Sequence, residues 1–298
     1  MNDLIEKINN LKQQKKAVIL AHNYQRPEIY DVADFVGDSL ELAQLASSTD
    51  AKIIVFCGVD FMAESAKILN PKKKVLLPAM DARCPMAKMV DVDGLKKMQA
   101  KYPKAKTVCY VNTSAEIKAI CDVACTSSNA VEIVKKIDAH QIIFVPDKHL
   151  AGYVQSQVPE KQIIPWEGFC YVHSRISSEQ LKKAKLSHPN ALAIVHPECP
   201  IDVITQADMV TSTSGMTEYA RNSDAKEFII GTEMGMVERL KRELPLKTFY
   251  AIGGVCAQMK KNSLDLVLDV LEKENNEINI DEDIMINAKK CLDEMLRI

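Results

Sequence analysis

Three cysteines of this chain recur at one fixed interval, and this spacing constrains the fold more than any other feature. Cys84, Cys170 and Cys256 are each separated from the next by 86 residues. Each stands beside proline, glycine or an aromatic residue, a setting typical of loops. If other features share this period, the chain consists of three copies of one structural unit.

Polar residues recur in the same phase, at the ends of short apolar runs. Two of them, two positions apart, close the first run of each copy: His22 and Tyr24, Tyr110 and Asn112, and His196 and Glu198. An aspartate stands 12 residues after the first member of each pair: Asp34, Asp122 and Asp208. A hydroxyl residue five positions further on is expected to cap a helix: Ser39, Ser127 and Thr213.

The order of apolar runs and helical patterns predicts the fold class. A second apolar run in each copy precedes an acidic residue: Asp60, Asp147 and Glu233. Short runs that alternate with helical patterns indicate parallel strands joined by right-handed crossovers, hence an α/β fold. We predict three α/β/α sandwich domains, each with a small parallel sheet, related by a pseudo-threefold axis around a central site.

The repeat also predicts the domain boundaries. The three copies are expected at 1–86, 87–172 and 173–258, which leaves 259–298 as a tail. Helical patterns at 264–273 and 283–296 predict two tail helices that pack on the assembly and cover the first copy.

The position of the recurring residues predicts a shared site. Ligands of open parallel sheets bind beyond the carboxyl ends of the strands, where these residues lie. A pseudo-threefold arrangement would bring Cys84, Cys170 and Cys256 together on the axis. Three thiolates can hold zinc or an iron-sulfur cluster, and three ligands on a four-iron cluster leave one iron open. An open iron is a Lewis acid that favours eliminations and condensations.

The other cysteines are not predicted to bind metal. Cys57, Cys109 and Cys291 lie in apolar strands or the tail helix and are expected in the core. Cys121 and Cys125 lack the third cysteine of a radical-enzyme motif, because Ser128 occupies that position.

Composition excludes some functional classes and indicates a compartment. The net charge of -2 provides no global positive field for nucleic acid, and no apolar run is long enough to span a membrane. The first residues show no secretory pattern. Nine cysteines are expected to stay reduced in a cytosol, so we predict a cytoplasmic protein without a disulfide framework.

Motifs along nearly the whole chain resemble those of the quinolinate synthase (quinolinate synthetase A) family. They include Ala21-His22-Asn23-Tyr24-Gln25, Gly37-Asp38-Ser39, Cys84-Pro85-Met86, Tyr110-Val111-Asn112, Cys125-Thr126-Ser127, Cys170-Tyr171-Val172-His173 and His196-Pro197-Glu198-Cys199-Pro200. The resemblance implies a triangular three-domain fold and a 4Fe-4S cluster held by the three recurring cysteines. It implies an enzyme that condenses iminoaspartate with dihydroxyacetone phosphate, losing phosphate and two waters, to give quinolinate for NAD synthesis. An iminoaspartate-forming enzyme is the implied supplier of one substrate.

The resemblance also implies roles for individual residues. Tyr24 and Glu198 are similar to acid-base residues, and His196 and His173 line the same cavity. Several residues are similar to positions that bind substrate carboxylates: His22, Ser39, Ser127, Ser212 and Thr213. Tyr110 and Asn112 are similar to residues that contact the triose-derived part.

Two other functions are compatible with the residues themselves. An open iron could serve a different hydro-lyase or aldol-type enzyme that acts on another hydroxyacid. A non-catalytic iron-sulfur sensor or metabolite-binding module would use the same cysteines. Each polar residue also has a purely structural interpretation, since His22 or His196 could end a strand and the serines could act only as helix caps.

Overall fold

Across residues 2–298, the part of the chain that the computed structural model describes, twelve strands form three separate sheets of four parallel strands. The first sheet contains β1 (Ala17–His22), β2 (Phe35–Gly37), β3 (Ile53–Cys57) and β4 (Lys74–Leu76). The second contains β5 (Lys106–Tyr110), β6 (Val123–Cys125), β7 (Gln141–Val145) and β8 (Gln162–Pro165). The third contains β9 (Leu192–Val195), β10 (Met209–Val210), β11 (Glu227–Gly231) and β12 (Thr248–Ala251).

All three sheets have the same strand order. The orders are β2-β1-β3-β4, β6-β5-β7-β8 and β10-β9-β11-β12, so each sheet repeats the topology of the others. The central strands are almost fully buried because helices cover both faces of the sheets. The predicted α/β class with three small parallel sheets is therefore confirmed, while the exact domain boundaries stay a prediction.

Thirteen α-helices connect and flank the strands of residues 2–298. The helices around the first sheet are α1 (Asn2–Gln14), α2 (Ser39–Ser48) and α3 (Asp60–Leu69). Those around the second are α4 (Val92–Lys101), α5 (Ala115–Lys118), α6 (Ala130–Lys136) and α7 (Lys148–Gln157). Those around the third are α8 (Ser178–Ser187), α9 (Ile201–Ile204), α10 (Thr213–Asn222) and α11 (Gly235–Glu243), followed by the tail helices α12 (Leu264–Lys273) and α13 (Glu282–Arg297). Within this part of the chain, no helix combines the length and apolar character that crossing a membrane requires.

The recurring aspartates stabilise the sheets. The carboxylate of each aspartate accepts a hydrogen bond from a backbone N–H of the strand that stands second in the strand order of its sheet. The bonds are Ile19 N to Asp34 at 2.8 Å, Thr107 N to Asp122 at 2.7 Å and Ala193 N to Asp208 at 2.7 Å. These donors lie in the early or middle part of β1, β5 and β9, so the aspartates support the strands that carry the site residues.

The two tail helices pack in different places. α12 lies against α1 and β3 of the first sheet's unit. α13 contacts α5 and β6 next to the second sheet and also α3 next to the first. Its buried face carries Ala288, Cys291, Leu292 and Met295, so burial of that face joins the two units.

Candidate active site and metal centre

One cavity gathers the carboxyl ends of strands from all three sheets. Thirteen of the fourteen predicted site residues line it: His22, Tyr24, Ser39, Cys84, Tyr110, Asn112, Ser127, Cys170, His173, His196, Glu198, Thr213 and Cys256. Ser212 lies beside the cavity, where it faces a neighbouring polar cleft instead. Residues remote in sequence thus meet because the three units direct the same strand ends toward one point.

The three cysteines are held by one recurring contact. The backbone N–H of each donates to the carboxyl group of a residue that lies two or three positions beyond the third strand of its unit. The pairs are Cys84 with Asp60 at 3.1 Å, Cys170 with Asp147 at 3.1 Å and Cys256 with Glu233 at 3.0 Å. A short 3-10 turn follows each cysteine: Met86–Lys88, His173–Arg175 and Met259–Lys261. Each cysteine therefore occupies an equivalent, hydrogen-bonded loop.

The spacing of the thiols bears on which metal they can hold. Ligands of one tetrahedral zinc, at about 2.3 Å from the ion, lie within about 4 Å of one another. The sulfurs of Cys84, Cys170 and Cys256 do not form a set within 4.8 Å, although all three face the same cavity. A second group does: Cys170, His173 and Glu198 place ligand atoms within 4.8 Å of one another. The cavity thus contains a cysteine-bearing group that could hold a metal.

A threonine connects Tyr24 with His173, two of the residues that the sequence predicts for this site. Thr232 Oγ1 lies 2.7 Å from Tyr24 Oη and 2.7 Å from His173 Nε2. The opposite ring nitrogen, His173 Nδ1, lies 2.6 Å from Glu198 Oε2, although the angle of this contact is not that of a hydrogen bond. One buried hydroxyl therefore fixes both the tyrosine and the histidine that faces the glutamate.

Burial and neighbouring charges set the ionisation of these groups. Burial alone would raise the pKa of Glu198, but His173 and then His196 favour the carboxylate and bring its pKa to about 2. Burial, reinforced by the Glu198 charge, raises the pKa of Tyr24 well above 10, and the pKa of Tyr110 rises for the same reasons. The cavity thus combines a carboxylate that can accept a proton with phenols that can donate one.

The pKa values of two further histidines of the cavity, His22 and His196, are lowered. Burial, together with Arg239 for His22 and His173 for His196, lowers the pKa of each to about 3. The His196 ring stacks on that of His173 with 4.5 Å between centroids, and its Nε2 lies 3.2 Å from Ser127 Oγ. The rings of His22 and His196 can therefore donate or accept hydrogen bonds without carrying charge.

The prediction that Ser39, Ser127 and Thr213 cap helices is wrong. Asp38 caps α2 in a capping box with Glu41, Ser212 caps α10, and Asn129 precedes α6. Because neighbouring residues cap α2 and α10, Ser39 and Thr213 occupy their first turns and line the cavity. Thr213 Oγ1 accepts a hydrogen bond of 2.7 Å from Asn23 Nδ2, which links the first unit to the third.

Sequence reasoning missed Thr232. It directly precedes Glu233, which holds the Cys256 loop, and the equivalent positions before Asp60 and Asp147 are Val59 and Pro146. A search for recurring polar residues therefore passes over it. The sequence does contain a different signal: a polar residue stands at this position in one copy, where the other two copies have an apolar residue.

Comparisons with known proteins agree with the motif resemblance. The family model described as "Quinolinate synthetase A protein" matches residues 6–297. The chain is 53% identical over 298 residues to "Quinolinate synthase" of Alkaliphilus metalliredigens, covering 99% of this chain and 98% of the relative. It is 53% identical to "Quinolinate synthase 1" of Methanosarcina acetivorans, with the same coverage, and 48% identical over 297 residues to "Quinolinate synthase" of Clostridium kluyveri, covering 99% and 98%.

Proposed function

Since this chain belongs to the quinolinate synthetase A family, we propose that it is an enzyme that forms quinolinate for NAD biosynthesis. Its substrates are proposed to be iminoaspartate and dihydroxyacetone phosphate, which condense with loss of phosphate and two waters. The observation that carries the proposal is the meeting of three cysteines with Tyr24 and Glu198 in one cavity.

The proposed cofactor is a 4Fe-4S cluster held by Cys84, Cys170 and Cys256. Two observations support this fit: the thiols face one cavity, and they are spread more widely than the ligands of a single zinc. A bound cluster with three thiolate ligands would supply an open iron that acts as a Lewis acid. The three carboxylate contacts to the cysteine N–H groups would keep the loops in place for it.

The proton transfers are assigned to Tyr24 and Glu198. A condensation followed by two dehydrations needs a base that removes protons from carbon and an acid that protonates departing oxygens. Glu198, with its low pKa, is available as a carboxylate, and Tyr24 keeps its phenol proton at neutral pH. His173 and His196 flank Glu198 and are proposed to orient it.

Substrate binding is assigned to the polar residues around the cavity. The start of α10, with Ser212 and Thr213, favours a carboxylate by about 0.3–1 kcal/mol, and Ser39 adds a hydroxyl at the start of α2, whose N–H groups are taken by Asp38. His22 and Ser127 add neutral hydrogen-bonding groups. Tyr110 and Asn112 are assigned to the triose-derived part, and the Asn112 Oδ1 is buried without a protein partner, as expected of a ligand-binding atom.

The chemistry of one substrate indicates which enzyme supplies it, and the state of the thiols indicates the cellular compartment. Iminoaspartate is an imine that water hydrolyses, so an iminoaspartate-forming enzyme is the proposed supplier. The nine cysteines, all unpaired, fit a reducing compartment, and we propose the cytoplasm.

An anaerobic assay tests the function. The protein loaded with iron and sulfide is incubated with dihydroxyacetone phosphate and freshly generated iminoaspartate, and quinolinate is measured by mass spectrometry. We expect quinolinate and phosphate in equal amounts. A protein that binds the cluster and dehydrates a hydroxyacid, but makes no quinolinate, would be a different hydro-lyase instead.

A further inference from the structure

A pair of thiols lies outside the site, behind the second sheet. Cys109 on β5 and Cys291 on α13 place their sulfurs 3.5 Å apart, although 182 residues separate them in sequence. Both side chains are buried, at 0% and 1% exposure. The sequence predicted each as an ordinary core residue, and their contact arises only because α13 packs across this unit.

A third thiol lies close to the pair. Cys121, in the turn before β6, influences the ionisation of Cys109 directly and is less deeply buried than the other two. The three sulfurs do not form a set within 4.8 Å, so they do not surround a position for one metal ion. We refer to Cys121, Cys109 and Cys291 as the thiol row, because Cys109 neighbours both of the others. A row of this kind suits the exchange of one sulfur-sulfur bond.

A buried lysine adds positive charge to this row. Lys118 is fully buried, and the hydrogen bonds of its ammonium to described residues end on the backbone carbonyls of Val111, at 2.9 Å, and Thr113. The neighbouring thiols Cys121 and Cys291 lower the pKa of Cys109 against the effect of burial, and the Lys118 charge contributes in the same direction. A positive charge beside Cys109 favours its thiolate form.

We propose that Cys109 and Cys291 are a reversible thiol-disulfide site, which a low-molecular-weight disulfide oxidises through Cys121. Cys121, the least buried of the three, gives up its proton as its sulfur attacks the small disulfide, and the first small thiol leaves. Cys109 then attacks the Cys121 sulfur and releases the second small thiol. Cys291 attacks Cys109, Cys121 returns to its thiol form, and one small disulfide has become two thiols, which carry the two protons.

The bond would connect elements that now only pack together. α13 contacts α5 and β6 of the second unit and α3 of the first, so the disulfide would fasten a helix that joins two units. Cys109 also immediately precedes Tyr110, whose side chain lines the central cavity. Oxidation would thus constrain the strand end that carries a site residue, and it needs the two sulfurs to approach by only about 1.5 Å.

The test equilibrates the anaerobically purified, folded protein in buffers with increasing ratios of oxidised to reduced glutathione. Acid quenching, alkylation and peptide mass mapping then locate each bond. We expect a peptide linking Cys109 to Cys291, its loss on adding dithiothreitol, and a rise in Tm of roughly 5–10 °C in the oxidised form.

Two variants separate the roles within the row. Cys121→Ser is expected to slow formation of the linked peptide at least about tenfold without changing its final amount. Cys57→Ser, a buried cysteine on β3 in the first unit, is the matched control and should change neither. The proposal is overturned if wild-type Cys109 and Cys291 stay free in excess oxidised glutathione, or if glutathione bound to Cys121 is the final product.

Discussion

The Asp147 carboxylate joins a helix start to the Cys170 loop. Its Oδ2 accepts the backbone N–H of Cys170 at 3.1 Å, and its Oδ1 accepts the N–H groups of His149 and Leu150, both at 2.8 Å. The side chain is completely buried. The same carboxyl group therefore fixes the position of Cys170 and caps the N-terminus of α7. Asp60 and Glu233 hold the other two cysteine loops.

Replacing Asp147 by alanine should destabilise the fold and loosen the cluster site together. Loss of the buried hydrogen bonds to the Asp147 carboxyl group costs about 1–3 kcal/mol of the free energy of unfolding. Asp208→Ala, which loses the 2.7 Å bond to Ala193 N away from the cysteines, is the control. We expect both variants to unfold at lower urea concentration, but only Asp147→Ala to release iron faster to a chelator. Equal rates of iron release would contradict this assignment.

The proposed ligands can be separated from a structural cysteine. Cys84→Ala, Cys170→Ala and Cys256→Ala should each lose the cluster, because each thiolate would hold a different iron of the proposed cluster. Cys57→Ala should keep it, since Cys57 is buried in β3 and absent from the cavity wall. Iron content and visible absorption of the anaerobically reconstituted proteins check this, and full iron content in any of the first three would remove that residue from the ligand set.

Glu198→Gln should abolish turnover and leave the cluster in place. The amide keeps the size of the side chain but cannot accept a proton, and general acid-base catalysis contributes typically about 10²–10⁴-fold to the rate. Quinolinate formation and iron content are measured on the same sample. Near-normal turnover would exclude Glu198 from the proton transfers.

Thr232 is expected to position Tyr24 and His173 through its hydroxyl. Thr232→Val keeps the shape but removes both 2.7 Å contacts, which should lower kcat by about 10–100-fold with unchanged iron content. Thr232→Ser retains the hydroxyl and should recover most of the activity. Near-normal kcat in the valine variant, or no recovery of activity in the serine variant, would contradict this role of the hydroxyl.

Acid should destabilise the protein through its buried neutral histidines. His22 and His196 have folded-state pKa values of about 3, whereas an unfolded histidine titrates near 6.5. The unfolded state therefore binds more protons below pH 6.5. The contribution of these histidines to the free energy of unfolding is fully present above that pH. It falls toward pH 3, by up to about 1.4 kcal/mol per pH unit for each histidine. Urea unfolding at pH 7 and pH 5 measures this loss, and His22→Gln should reduce it.

Much of the fold could be predicted because it depends on local patterns. The second apolar runs of the first and third copies, which precede Asp60 and Glu233, form β3 (Ile53–Cys57) and β11 (Glu227–Gly231), and the first tail helix lies at the predicted residues 264–273. Alternation of apolar runs and helical patterns is sufficient to indicate parallel strands, and a period of 86 residues places the strand ends in register.

Prediction failed for the helix caps, because either of two adjacent residues could make the capping hydrogen bond. Ser39 and Thr213 have the residue type of a helix cap, yet Asp38 and Ser212, one position earlier, make the capping bonds. An aspartate or serine caps as well as the residue after it, so composition alone does not choose between them.

The sequence by itself determined the three units, the strand ends and the residue types that stand there, because these follow from hydrophobic period and chain spacing. Only the tertiary structure decided that Thr232 bridges Tyr24 and His173, and that Cys109 touches Cys291. Those contacts join different parts of the chain, and no periodic pattern encodes the distance between them. They depend on how whole units and the tail helix pack, which is the sum of many weak contacts across the core.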